Sequence, residues 1–257
     1  MKTDCLTVSL VQFSPRWENP QYNLSRYSDF FLLFHRNPDI IIFPEMFPTG
    51  FSMNTKKICS KQKFITQWMQ YVAEVTGALV VGSVAVKENS RFYNRLYWVS
   101  ADGVMGHYDK HHLFTLADEH KHYTAGTEKK QFEWRGWEIK PIVCYDLRFP
   151  EWCRNNRMKP YDLLICVANW PAVRSDAWLT LLKARALENQ CFVAGVNRTG
   201  TDGNKMLYGG DTIMYSPKGE TIGKIAENEE TVATFELSLP GLHDFRKKFP
   251  VLNDMDD

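Results

Sequence analysis

The chain has 257 residues, 44% of them apolar and 24% charged, with a formal net charge of +1. That composition predicts a packed globular core and gives no general attraction to nucleic acid or to anionic membrane. No apolar run approaches the ~18 residues of a membrane span, and the start, "MKTDCLTVSLVQF", lacks the longer apolar stretch of a secretion signal, so a cytoplasmic protein is expected. Residues 5–13 then read as a strand. Leu24, Tyr27, Phe31 and Phe34 give residues 20–36 a helical period. "PDIIIFPE" (38–45) is a short, fully apolar run suited to a buried strand. Phe64, Trp68, Val72 and Val75 mark a helix over 61–76, "ALVVGSVAV" (78–86) and "NRLYWVS" (94–100) are strands, and Asp102-Gly103 is a hairpin turn before "VMGHYDKHHLF".

The second half repeats this rhythm. "IKPIVC" is a strand, and "FPEWCRNNR" a helix with Pro150 and Glu151 in its first turn. "YDLLICVANWP" (161–171) echoes "PDIIIFPE", residues 176–190 form a helix through Trp178, Leu181, Leu182 and Leu187, and "CFVAGVNRTG" echoes "ALVVGSVAV". A hairpin, "GDTIMYSPKGETIGKI", and a last strand, "ETVATFELS", follow; the charged tail "DFRKKFPVLNDMDD" is expected at the surface or against a partner subunit. Two β-α-β-α-β units, each followed by hairpins, make an α/β layered fold, and with no linker the simplest organisation is one domain over 1–257. The eight tryptophans belong mostly to its core.

Six cysteines, at 5, 59, 144, 153, 166 and 191, lie far apart with no C-x-x-C pair, which argues for free thiols. Reactive groups in an α/β sheet collect where strands end at one edge. Three candidates sit at such ends: Glu45 after "IIIFP", Lys110 after "VMGHYD" and Cys144 after "KPIV". A thiol needs a base or nearby positive charge to become a nucleophile, and a lysine can steady an oxyanion. By position alone, a strand-end Glu or Lys is equally a solvated surface group, and a Cys after Ile-Val a core residue.

The neighbouring residues go further. "FPEMFPTGF" around Glu45, "YDKHHLF" around Lys110 and "CYDLRFPEW" from Cys144 resemble the carbon–nitrogen hydrolase (nitrilase) superfamily, as do "ANWPAVRSDAWLTLLKARALENQCFVAGVNRTG" (168–200) and "YGGDTIMYSPKGE". Nearly the whole chain takes part, and the omega-amidase branch, which hydrolyses the terminal amide of small α-keto acids such as 2-oxoglutaramate, is the most similar. The resemblance implies a four-layer αββα sandwich, a homodimer or higher homo-oligomer formed through a helical face, and a Glu45–Lys110–Cys144 triad acting without metal or other cofactor. Glu45 would deprotonate Cys144, protonate the departing ammonia and activate water against the thioester, while Lys110 and the Tyr145 N–H hold the oxyanion. A second Glu seven residues before a "PG" glycine maps onto Glu119 before Gly126, although Ala125 replaces the Pro. The helix near Phe149 would favour a thiolate at Cys144, and Asp146, Arg148 and Glu151 would fix the turn.

Other readings remain on the residues alone. Five of the seven histidines fall in 107–122, which would suit a metal, but no H-E-x-x-H pair occurs. A papain-type Cys–His pair lacks its local signature, and a non-enzymatic binding protein would not need all three triad residues. Deaminated-glutathione amidases and N-carbamoyl amidases share the triad and stand as alternatives. Trp170 is either a pocket wall or a core-edge aromatic. Arg174 is either the partner of a substrate carboxylate or a surface cation. Arg185 and Glu188 are expected to be structural.

Overall fold

The computed structural model describes residues 3–29 and 38–255. Phe31 and Phe34, expected on the first helix, lie outside the described residues. The first half contains β1 (Cys5–Gln12), α1 (Pro20–Asp29), β2 (Ile40–Ile42), α2 (Thr55–Ile58), α3 (Gln62–Thr76), β3 (Leu79–Glu88), β4 (Arg91–Ser100), β5 (Gly103–Asp109) and the one-turn α4 (Glu119–His122). The second contains β6 (Phe132–Trp134), β7 (Trp137–Val143), α5 (Pro150–Cys153), β8 (Leu163–Ala168), α6 (Ser175–Asn189) and β9 (Phe192–Asn197). It continues through β10 (Thr199–Thr201), β11 (Leu207–Gly209), β12 (Ile213–Tyr215), β13 (Thr221–Lys224), β14 (Thr231–Ser238) and α7 (Leu239–Lys248).

Two six-stranded sheets result, ordered β14-β1-β2-β3-β4-β5 and β6-β7-β8-β9-β12-β13. In each, three consecutive parallel strands are flanked by antiparallel ones. The echo heard in the sequence is therefore a repeat of topology. β6 and β14 play the same part, although the sequence reading recognised only the second.

The layers follow from the period-two pattern of the strands. Leu6, Val8 and Leu10 of β1 and Leu163, Ile165 and Val167 of β8 belong to one cluster between the two sheets. The alternate residues face outward: Val11 and Phe13 join Ile65, Met69 and Val72 of α3, while Leu164 and Cys166 join Trp178 and Leu182 of α6. Helix, sheet, sheet, helix is the four-layer αββα sandwich of the nitrilase type. Each fully buried Leu, Ile or Val in these layers contributes about 1.5–3 kcal/mol.

Three expectations need correcting. Phe64 and Val75 of α3 are exposed, and the buried stripe is Ile65, Met69, Val72 and Thr76, one residue round the helix. The helix expected over "FPEWCRNNR" is only the four-residue α5, Pro150–Cys153, and the turn that leads into it from Cys144 to Arg148 is 3₁₀. The tail from Asp244 is not wholly surface: it begins inside α7, Arg246 donates to Asp162 Oδ1 and to the Gln190 carbonyl, both at 2.9 Å, and Leu252 is buried. Among the described residues, no helix is long and apolar enough to cross a membrane.

Candidate active site

β2, β5, β7 and β8 all end at one edge of the sandwich, the first two in one sheet and the last two in the other. Glu45 lies three residues beyond β2, and Lys110, Cys144 and Asn169 directly follow β5, β7 and β8. This brings Glu45, Lys110 and Cys144, far apart in sequence, into one cavity of about 230 Å³. Its walls are mostly apolar or aromatic: Phe51, Phe114, Tyr145, Trp170, Met206 and Tyr208.

The Lys110, Glu45 and Glu119 side chains are completely buried. Lys110 Nζ donates to Glu45 Oε1 at 2.9 Å and to Glu119 Oε1 and Oε2 at 3.1 and 2.9 Å. The remaining acceptor sites are also used. The Asn169 N–H donates to Glu45 Oε2 at 2.8 Å, and the Phe114 N–H to Glu119 Oε2 at 2.6 Å. Burial works against the Lys110 ammonium, but the facing charges of Glu119 and Glu45 outweigh it and hold its pKa well above the usual lysine range. Burial raises the Glu119 carboxyl, against the pull of Lys110.

Glu119 reaches this place because residues 109–126 fold back on β5. The Gly126 N–H donates to the Lys110 carbonyl at 2.9 Å, and a Cβ on Gly126 would come within 2.1 Å of the Asp109 carbonyl oxygen. Glycine is needed there for close backbone approach, whereas the position before it accepts Ala125.

Cys144 stands at the crossing from β7 into the 3₁₀ turn with φ of +48°. A left-handed non-glycine residue costs of order 1–3 kcal/mol unless its surroundings hold it. Here Asp146 holds it: its carboxylate accepts from the Val143 N–H at 3.1 Å and from the Tyr108 hydroxyl at 2.6 Å. Asp146 Oδ1 also accepts from the His112 N–H at 2.8 Å and lies 2.8 Å from His112 Nδ1. The nucleophile-bearing turn is thus tied to the segment that follows Lys110. Of the three residues expected to fix this turn, Asp146 does so. Arg148 instead lines the cavity, with its guanidinium 4.9 Å from the Trp170 ring centre, and exposed Glu151 gives only a main-chain carbonyl, to Lys129.

The expected thiolate is not the resting form. Burial, reinforced by the Glu45 charge, pushes the Cys144 thiol well above its ordinary value and outweighs Lys110. A four-residue α5 offers no helix dipole of consequence. The sulfur accordingly needs a base beside it.

Tyr145 lies in the cavity wall with its ring against Phe114 and Phe149. Trp170 combines its two expected places, being buried and lining the cavity. Its indole N–H donates to the Arg174 carbonyl at 2.8 Å, and Arg174 also lines the cavity, 5.8 Å from the Phe114 ring centre. Arg185 lies under the turn, donating to the Leu147 carbonyl and to Glu188. The histidines do not converge: His111 stacks on Trp152 and His112 on Phe149, while His120 and His122 are exposed. Among the described residues, no three His, Cys, Asp or Glu side chains are grouped as metal ligands.

Sequence reasoning overlooked Asn94, Ser83 and the amide of Asn169. Their only trace in the sequence is a polar residue within or directly after an apolar strand, at "VVGSVAV", "YNRLYWV" and "LLICVAN", which does not say what it meets.

The carbon-nitrogen hydrolase family model matches residues 7–247. Omega-amidase YafV of Escherichia coli (strain K12) is 44% identical over 252 residues, which cover 98% of this chain and 97% of that protein. The 2-oxoglutaramate amidase of Bacillus subtilis (strain 168) is 34% identical over 253 residues, 97% of each chain. Among solved structures, XC1258 from Xanthomonas campestris, a CN-hydrolase superfamily protein with an arsenic adduct in its active site, superposes with a TM-score of 0.95. It is 41% identical, covering 99% of this chain and 98% of that one. This chain belongs to the carbon–nitrogen hydrolase family, on its omega-amidase-like branch.

Proposed function

We propose that the chain is a thiol amidase that hydrolyses the terminal amide of a short, 2-oxoglutaramate-like α-keto acid to acid and ammonia, through a thioester on Cys144. Amidase activity rests on the family and on the relatives above. The observation that carries the mechanism is one cavity that brings together a thiol, a buried carboxylate and a buried lysine ammonium paired with it.

Glu45 is the base. It takes the Cys144 proton as sulfur attacks the amide carbon, which removes the need for a standing thiolate. The negative charge passes to the carbonyl oxygen, where the Tyr145 N–H and the Lys110 Nζ donor released by Glu45 as it becomes protonated receive it. Collapse of the tetrahedral intermediate breaks the C–N bond, and Glu45 returns the proton to the leaving ammonia. Water, deprotonated by Glu45, then attacks the thioester and Cys144 is released as thiol. Proton handling of this kind contributes about 10²- to 10⁴-fold. Glu119 holds Lys110 by two of its three donors. Trp170 forms the wall beside the acyl chain, and Arg174 receives the distal carboxylate, which would be strongly disfavoured if buried unpaired.

We treat residues 1–257 as one domain, because one sheet supplies Glu45 and Lys110 and the other Cys144. A cytoplasmic homodimer is the proposed setting, with size-exclusion chromatography and light scattering as the check on assembly.

The deciding experiment measures ammonia release from 2-oxoglutaramate, glutamine, a carbamoylated amine and a nitrile side by side, with mass spectrometry of quenched enzyme. The keto-acid amide should be hydrolysed best and leave an acyl mass on Cys144. Faster release from a carbamoylated amine would overturn the substrate assignment, and an adduct elsewhere would overturn the nucleophile.

A further inference from the structure

Two carboxylates and one ammonium cannot hold each other in place without a fourth group. Glu45 and Glu119 both point at Lys110 Nζ inside a site closed to solvent, where like charges repel strongly. The group between them is the side chain of Asn94 on β4, itself buried. Its Nδ2 donates to Glu45 Oε1 at 2.7 Å and to Glu119 Oε1 at 3.2 Å, one hydrogen to each. Its own carbonyl accepts from the Lys110 N–H at 2.9 Å. One residue thus touches all three charged partners.

The orientation of this amide is set by its neighbour. Ser83 on β3 accepts from the Met46 N–H at 2.8 Å, so its hydroxyl hydrogen is directed to Asn94 Oδ1, 2.9 Å away. Oδ1 is therefore the acceptor and Nδ2 faces the glutamates. The same Met46 N–H belongs to the residue after Glu45, which has a left-handed φ of +43°. Ser83 fixes the backbone of the Glu45 turn, and through Asn94 it fixes the carboxylate.

We infer that Asn94, oriented by Ser83, is a positioning residue that keeps Glu45 aimed at Cys144 while Glu119 stays on Lys110. The inference rests on Glu45 being the base of the proposed reaction. Groups facing Glu45 are Lys110 after β5, Glu119 on α4, Cys144 after β7, and the more distant phenols of Tyr123 and Tyr208. Among the side chains that bond Glu45, Lys110 and Asn169 would stay when Asn94 is removed. The donor lost is the 2.7 Å one on the oxygen that Lys110 shares.

The test compares Asn94→Leu and Ser83→Ala with wild type in the full chain. It reads kcat and KM for 2-oxoglutaramate, together with the rate of Cys144 alkylation by iodoacetamide. Losing a hydrogen bond to a charged group corresponds to a fall of roughly 10- to 100-fold in kcat. KM should change little, because Asn94 is not in the cavity wall. Cys144 alkylation should slow along with kcat, because the carboxylate that takes the thiol proton is no longer held in place. Ser83→Ala should lower both rates in the same way by less, and it decides the matter if Asn94→Leu does not fold. In the folded variants, an unchanged kcat and alkylation rate, or a loss carried by KM, would overturn the positioning role. Wild-type enzyme that neither releases ammonia nor alkylates at Cys144 would instead overturn the amidase reading on which the inference stands.

Discussion

The inner wall of the cavity and its mouth are built on different principles. At the inner wall, Glu45, Lys110 and Glu119 are sealed from water and joined by charge-assisted bonds of 2.9–3.1 Å. At the mouth, Arg148 is exposed and Arg174 half-exposed, and both are placed by the same Trp170: Arg148 over its ring face, Arg174 through its backbone carbonyl. Removing one partner from a buried ion cluster typically costs about 3–5 kcal/mol, because a charge is left unpaired in low dielectric. An exposed charge contact contributes about 0–1 kcal/mol. The inner wall is therefore preorganised and intolerant of change, whereas the mouth is loosely held; in the proposed reaction the first serves the chemistry and the second recognition.

Inner-wall substitutions should sharpen that contrast most. Cys144→Ala should abolish turnover while leaving circular dichroism and the melting temperature near wild type, since it removes a thiol that carries no resting charge. Measurable ammonia release from this variant would end the covalent mechanism. Lys110→Met should cost about 3–4 kcal/mol of transition-state stabilisation, as does loss of an oxyanion donor. It should also lower the melting temperature, because Glu45 and Glu119 are left facing each other. Glu45→Gln should be at least as damaging to turnover, since both base and acid are lost. Near-normal kcat with a raised KM in Lys110→Met would move the lysine from the inner wall to the binding surface.

The inner wall was legible in the sequence. Strand ends at one sheet edge drew attention to Glu45, Lys110 and Cys144, but position alone left each of them equally a surface or core residue, and they stood out because each sits inside a distinctive block. Asn94 and Ser83 did not, because a small polar residue within a strand carries no mark of which group it will meet across the sheet. Arg148 was misplaced because it shares the "CYDLRFPEW" block with Asp146, yet the 3₁₀ turn sends their side chains to opposite sides. The face of α3 was misjudged for a related reason: large residues such as Phe64 drew the stripe one position away from the smaller Ile65 and Thr76 that pack.

A second contrast is in pH. The Cys144 thiol is raised above its ordinary value of 9.0 by burial first and by Glu45 second, and buried Cys166 is raised too. Above pH ~9 the unfolded chain therefore loses thiol protons that the native chain keeps. Stability must fall as pH rises through that region. Lys110, also raised, extends the loss above its ordinary 10.5. Melting temperature should be lower at pH 10 than at pH 8, and Cys144→Ala should flatten that decline. An equally steep decline in the variant would show that the thiol is not among the groups responsible. No mouth substitution should alter this slope.

The smallest effects belong to the mouth, and they test whether it recognises charge at all. In the proposed reaction, a carboxylate at the far end of a short acyl chain would reach past Tyr145 and Trp170 towards two guanidinium groups of the cavity wall. Arg174 sits by Phe114, and Arg148 lies against the opposite face of the problem, over Trp170 itself. A guanidinium–carboxylate pair can be bidentate, which adds geometry to attraction, but exposure to solvent weakens it. Arg174→Ala should therefore raise KM for 2-oxoglutaramate by about two- to fivefold, with kcat nearly unchanged and little effect on a neutral amide of equal length. Added salt should raise the wild-type KM for the acid and not for the neutral amide. Arg148→Ala measured beside it decides which arginine holds the anion. If Arg148→Ala shows the acid-selective rise and Arg174→Ala does not, the carboxylate lies on the nucleophile's own turn, and the substrate's two ends are gripped by residues four apart in sequence. If both variants treat acid and neutral amide alike, the mouth selects by shape and its apolar walls, and the contrast between a charged interior and a charge-reading mouth fails.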